Sequence, residues 1–157
     1  MEIQLLVIGK NSSTLLDAAT KVYLDRLRHY VPYNVRVLPD VRNTKNMSEA
    51  QQKEAEGKVF LSAFQPSDYV VLLDERGREY TSMEFSGYLS AKMSSGLKKL
   101  VFVVGGPYGF SADVYSRADA KISLSKMTFS HEMIRLFFTE QVYRAMTILR
   151  HEPYHHE

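Results

Sequence analysis

The stretch at residues 100–135, LVFVVGGPYGFSADVYSRADAKISLSKMTFSHEMIR, limits the fold more than any other part of the chain. It opens with five apolar, mostly β-branched residues, a run too short for a helix and suited to a strand buried on both faces. The run breaks at Gly105-Gly106-Pro107-Tyr108-Gly109, a turn whose glycines leave room for a close backbone approach. A short helix, a small strand at 121–125 and a loop at 126–129 follow, and then a long helix begins. Two loops at strand carboxyl ends, close in sequence, are where an open α/β sheet holds a ligand. The spacing of Gly105, Gly106 and Gly109 does not fit the dinucleotide fingerprint, and no phosphate-loop Lys-Ser/Thr follows. Taken alone, the glycines fit a plain tight turn equally well.

The rest of the chain alternates in the same way. Residues 3–8 read as a first strand ended by Gly9. Thr14 with Asp17 reads as a capping box, and Leu15, Leu16, Ala19, Val22, Tyr23 and Leu27 recur at helical spacing to about His29. Pro32 stops that helix, residues 35–38 give a second strand, and residues 40–47 form a polar, basic loop. Ser48 with Gln51 opens a helix to about Phe64. Residues 69–73 are a third strand, with Asp74-Glu75-Arg76-Gly77 as the loop at its end. Thr81 with Glu84 caps a helix through Met93. Five strands alternating with five helices predict an α/β fold with a mostly parallel sheet covered by helices. At 157 residues the chain suits one domain, 1–157.

Composition narrows the function classes. Without cysteine there is neither a disulfide framework nor a thiolate metal site. No apolar stretch approaches the roughly 20 residues that cross a bilayer. The opening MEIQLLVIGK does not fit a signal peptide, so a cytoplasmic protein without a membrane partner is expected. A net charge of +2 is too small to announce nucleic acid. Basic residues gather at Lys10, Lys21, Arg26, Arg28 and His29, and again at Arg135, Arg144, Arg150 and the tail histidines. Either group also suits a solvated helix face.

The last helix, about 131–150, carries Met133, Ile134, Leu136, Phe137, Phe138, Val142, Tyr143, Ala145, Met146, Ile148 and Leu149, more than one face of apolar residues. A helix on one side of a sheet needs a single stripe. A homodimer covering the second side is expected; a helix inserted deep in its own fold is the alternative.

GGPYG, then LSKMTFSHEMIR, then the closing EPYHHE resemble, in order and spacing, the RlmH family of SPOUT-class RNA methyltransferases. The likeness covers the whole chain, including VVLLDERG and the helix segment at 54–61. It implies a SPOUT-type fold with a C-terminal trefoil knot. It implies transfer of a methyl group from S-adenosylmethionine, with no metal, to N3 of a pseudouridine in the helix 69 loop of 23S ribosomal RNA. The family acts on assembled ribosomes as a homodimer.

Carried onto this chain, the resemblance places the cofactor against Leu73, Gly105, Leu124, Ser125, Lys126, Met127, Thr128 and Phe129. Those residue types suit an apolar slot for adenine with loop amides beside it; plain core packing is the other reading of Leu124, Met127 and Phe129. Pro153 ends the last helix and leaves a short polar tail. In the family the tail's Tyr-His pair reaches the partner subunit's cofactor, which makes Tyr154 and His155 the catalytic candidates. His156 stands where relatives often carry Lys or Arg. Ser130 replaces a frequent proline and suits a helix cap. His131 is the rival base, to which a structural role is assigned here. Arg135 and Arg144 are candidates for substrate phosphate, with pairing inside the protein equally open. Two other classes stay open: an α/β enzyme using a different small nucleotide, and a non-catalytic ribosome-binding protein.

Overall fold

Strands whose residues are apolar at every position become the middle of a sheet, because neither face is left to water. In the computed structural model, which describes residues 1–157, β4 (Lys99–Val104) is buried from Leu100 onward. It lies between β1 (Glu2–Ile8) and β3 (Tyr69–Glu79). The edges are β2 (Tyr33–Leu38) and β5 (Ala120–Ser123), giving the order β2-β1-β4-β3-β5 with every pairing parallel. The helices are α1 (Thr14–Leu27), α2 (Glu49–Ala63), α3 (Ser82–Ser94), α4 (Ala112–Arg117) and α5 (His131–Leu149), with one 3-10 turn at Thr44–Asn46.

Alternate strand residues feed two cores, as the two-residue period of a strand requires. Ile3, Leu5, Val7, Val71 and Phe102 pack with Leu27, Phe85, Leu89, Phe138, Val142 and Met146 under α1, α3 and α5. Leu6, Val70, Leu72, Val101 and Val103 pack with Phe60, Phe64, Phe110 and Val114 under α2 and α4. The helix starts follow the capping chemistry of the sequence at three places. Ser48 with Gln51 and Thr81 with Glu84 each make the full reciprocal box, and the Ser130 hydroxyl accepts from Met133 N–H at 3.3 Å.

Three expectations change. Ser13, not Thr14, caps α1, its hydroxyl accepting from Leu16 N–H. The third strand does not end at Leu73: it resumes beyond an arch at 74–77, so that Leu73 and Arg78 both align with Ile122 of β5. β5 runs against the inside of that arch, where a Cβ on Gly77 would stand 2.6 Å from the Ile122 backbone. Finally, α5 lies between α1 and α3 in one layer. Its broad apolar surface is therefore mostly covered inside one subunit, the alternative weighed above. Phe137, 39% exposed, remains outside.

Candidate active site

Parallel strands deliver their loops to one edge of the sheet, and here the loops of β3, β4 and β5 meet the first turn of α5 around a cavity of about 630 Å³. That is the size range of small-molecule sites. Leu73, Leu124, Met127, Phe129 and Ile134 give it an apolar side; Asp74, Glu75, Arg76 and, from α2, Glu49 and Lys53 give it a charged one. Of the residues expected to meet the cofactor, Leu73, Gly105, Leu124, Ser125, Met127, Thr128 and Phe129 line the cavity. Lys126 does not: its exposed ammonium stands 3.9 Å from Glu79. The loop between β5 and α5 holds its shape through Ser125, whose hydroxyl accepts from Met127 N–H at 3.0 Å and whose carbonyl accepts from the Ser123 hydroxyl at 2.8 Å.

The glycine turn is shaped from behind. A Cβ on Gly105 would meet the Phe110 ring at 3.1–3.3 Å, so a side chain there would press on the protein's own packing behind the turn. A Cβ on Gly106 would lie 2.7 Å from Cδ of Glu56. Glu56, on α2, is 5% exposed, and its Oε1 has no hydrogen-bond partner. Burial, with the Asp40 charge adding to it, raises its pKa against a lowering by Gln52. An acid in the polar-looking helix sequence EAQQKEAEGKVF carries no mark of this placement, and no sequence signal would have found it. Asp74 is also engaged, accepting from the Tyr115 hydroxyl and from Arg76 N–H.

His131 opens α5 at the cavity wall. Burial and the Arg135 charge lower its pKa, against an opposing contact with the Gly105 backbone, so its neutral form is favoured. Arg135 itself is 6% exposed, and its Nη2 donates to the Ile8 carbonyl at 3.1 Å. Its Nε meets no acceptor and no carboxylate pairs with it, so the cation is buried against the end of β1 without a charge partner. Arg144, by contrast, has partners within the chain. It pairs with Glu140 at 2.5 Å, reaches Nδ1 of His155 at 3.3 Å and lies over the Tyr154 ring at 4.8 Å.

The tail is therefore packed, not loose. The Tyr154 hydroxyl donates to Glu140 at 2.8 Å, and its ring meets Tyr143 edge-on at 4.7 Å. Burial and Glu140 raise the Tyr154 pKa, which keeps the phenol protonated. Glu140 is nine residues from His131, about 14 Å along the helix at 1.5 Å per residue. Within one subunit, Tyr154 and His155 are clamped at that distance from the cavity end of α5.

A family profile described as "Predicted SPOUT methyltransferase" matches residues 1–155. The chain belongs to that family. Among its relatives, proteins called ribosomal RNA large subunit methyltransferase H from Parabacteroides distasonis and Porphyromonas gingivalis are each 62% identical over the whole of both chains. One from Flavobacterium psychrophilum is 52% identical, again end to end. These place the chain in the RlmH branch of the SPOUT family. A solved structure, that of a probable methylase family protein from Haemophilus influenzae, matches 95% of this chain and 66% of its own with a TM-score of 0.60. At 14% identity it speaks to the fold alone.

Proposed function

We propose that the protein is a cytoplasmic, homodimeric methyltransferase that modifies N3 of a pseudouridine in the helix 69 loop of 23S ribosomal RNA on assembled ribosomes, using S-adenosylmethionine. The observation that carries the reading is the cavity where the β3 arch, the glycine turn and the β5–α5 loop converge. The names of the full-length relatives support the substrate class. The lining fits the cofactor: Leu73, Leu124, Met127 and Phe129 suit the adenine, and the acids Glu49, Asp74 and Glu75 suit a ligand with cationic groups. When bound, it supplies a methyl on a sulfonium that leaves as a neutral thioether, while the proton of N3 passes to a base or to water.

The chain's own residues divide the remaining work. The apolar wall and the loop amides orient the ligand, and orientation of reacting groups can account for much of a rate. Tyr154, held protonated, serves as a hydrogen-bond donor or stacking ring toward the target base. His155 is the candidate for the N3 proton, and His131, at the first turn of α5 on the cavity wall, keeps a structural role. Because Tyr154 and His155 sit far along α5 from their own cavity, they serve the cavity of the partner subunit. The passage of β5 inside the arch at 74–77 is where we place the trefoil knot.

The test is transfer of labelled methyl from S-adenosylmethionine to ribosomes that lack the modification. Label in 23S RNA, mapped by mass spectrometry to N3 of a helix 69 pseudouridine, is the expected result. Cofactor binding without transfer to ribosomes would contradict it.

A further inference from the structure

The polar, basic segment between β2 and α2 has no part in the site as described so far. It leaves β2 at the cavity edge of the sheet, turns through Asn43 at φ 61° and the 3-10 turn at Thr44–Asn46, and runs into α2 at the Ser48 cap. From there Lys53, one turn into α2, stands on the cavity wall. β2 is two strands from β4, so the segment starts about 10 Å from the glycine turn at the usual strand spacing.

Asp40, the acid just before the segment, is exposed and turns its carboxyl toward Gly9, with Cγ 3.0 Å from where a Cβ there would be, and it pairs with neither cation of the segment. Arg42 and Lys45 are exposed, and neither they nor Lys53 take part in any ion pair. Asn43, Thr44 and Asn46 add neutral hydrogen-bonding groups between them. Two acids elsewhere on this edge are engaged: Asp74 by Tyr115, and Glu132 by the backbone and hydroxyl of Ser12. The free acids nearby, Glu49 and Glu75, line the cavity, and Glu54 lies one residue past Lys53. The outward face of the 41–47 segment holds two cations and no acid. A polyanion meeting this edge would find exposed, unpaired cations at Arg42 and Lys45, with Lys10 after β1 and Arg76 on the cavity wall flanking them, while Arg135 is buried and Arg144 is paired with Glu140.

We propose that this segment is a phosphate-contact arm: Arg42 and Lys45, continued by Lys53 at the cavity rim, hold backbone phosphates of the RNA beside the nucleotide that enters the cavity. The assignment rests on the RNA-modifying reading above. Phosphate contacts position a nucleic acid without reading its sequence, and they make binding salt-dependent.

The experiment compares the wild type with Arg42→Ala/Lys45→Ala and with the conservative pair Arg42→Lys/Lys45→Arg, using unmethylated 70S ribosomes. The alanine pair should raise KM for ribosomes about tenfold and flatten the slope of log KM against log salt by about one to two. Its kcat and its affinity for S-adenosylmethionine by calorimetry should stay within about twofold of the parent. The conservative pair should restore KM. Unchanged KM and salt slope in the alanine pair would overturn the arm. If the wild type itself transfers no methyl, the proposed activity falls, and the arm is judged by co-sedimentation with ribosomes. Weakened, less salt-sensitive sedimentation of the alanine pair supports it, and sedimentation equal to the parent overturns it.

Discussion

The Glu56 carboxyl group lies against the backbone of Gly106, so α2 braces the glycine turn with a buried acid whose Oε1 meets no donor. Burial raises its pKa, so the folded protein holds this proton more tightly than the unfolded chain does. The contribution to stability is full below the unfolded value, about 4.3, and is lost as pH rises through the higher folded value. Glu56→Gln keeps the shape and removes the charge. The variant should gain about 1 kcal/mol at pH 8, a few degrees in Tm, and less at pH 4. Calorimetry at both pH values checks the sign; a larger gain at pH 4 would contradict it.

Two glycines should respond oppositely to alanine. At Gly77 the new methyl would stand 2.6 Å from the Ile122 backbone, which cannot swing aside as a side chain does. Gly77→Ala should cost about 2–3 kcal/mol or more and weaken cofactor binding, because the arch walls the cavity. At Gly87, inside α3, nothing lies within 4 Å of the new methyl. Gly87→Ala should stabilise by about 0.5–1 kcal/mol. Thermal melts and cofactor titration of the two proteins make the comparison.

Phe137 is 39% exposed and Phe129 41%, with their rings edge-on at 5.3 Å. In the proposed dimer this pair is covered by the partner. Light scattering of the wild type should give twice the 18.0 kDa chain mass, and Phe137→Asp should give a folded monomer with little activity. A fully active wild-type monomer would remove the dimer.

The parallel sheet and three of the helix starts were legible because they depend on local chemistry: β-branched runs, Ser or Thr with Glu or Gln three residues on at α2 and α3, and a lone Ser130 before α5. What was not legible depended on contacts distant in sequence. Ser13 could cap α1 as readily as Thr14, and the same corner is held by Glu132 from α5, more than a hundred residues away. The continuation of β3 past Leu73 follows from Ile122 lying beside both limbs of an arch. The apolar breadth of α5 was read as a dimer surface, yet α1 and α3 cover most of it, since a sequence does not say which helix takes the middle of a layer. Arg135 and Arg144 were equally silent: an arginine bound to a backbone carbonyl and one free for phosphate look alike in a sequence. The cavity loops were found because glycines and strand ends mark them, and Glu56 was missed because nothing marks it.

Mixed dimers test most directly whether a cavity and a tail from different subunits make one site. One subunit carries Leu124→Arg, which sets a cation and added bulk in the apolar wall facing a cationic cofactor. The other ends at Glu152 and so lacks Tyr154 and His155. Each variant alone should be inactive on ribosomes, with the truncated one still binding S-adenosylmethionine. After subunit exchange, each mixed dimer should show about half the activity of a wild-type dimer, because one intact cavity then faces one intact tail. Mixed dimers seen by native mass spectrometry without any return of methyl transfer would mean that each tail serves its own subunit, and the shared site would be wrong.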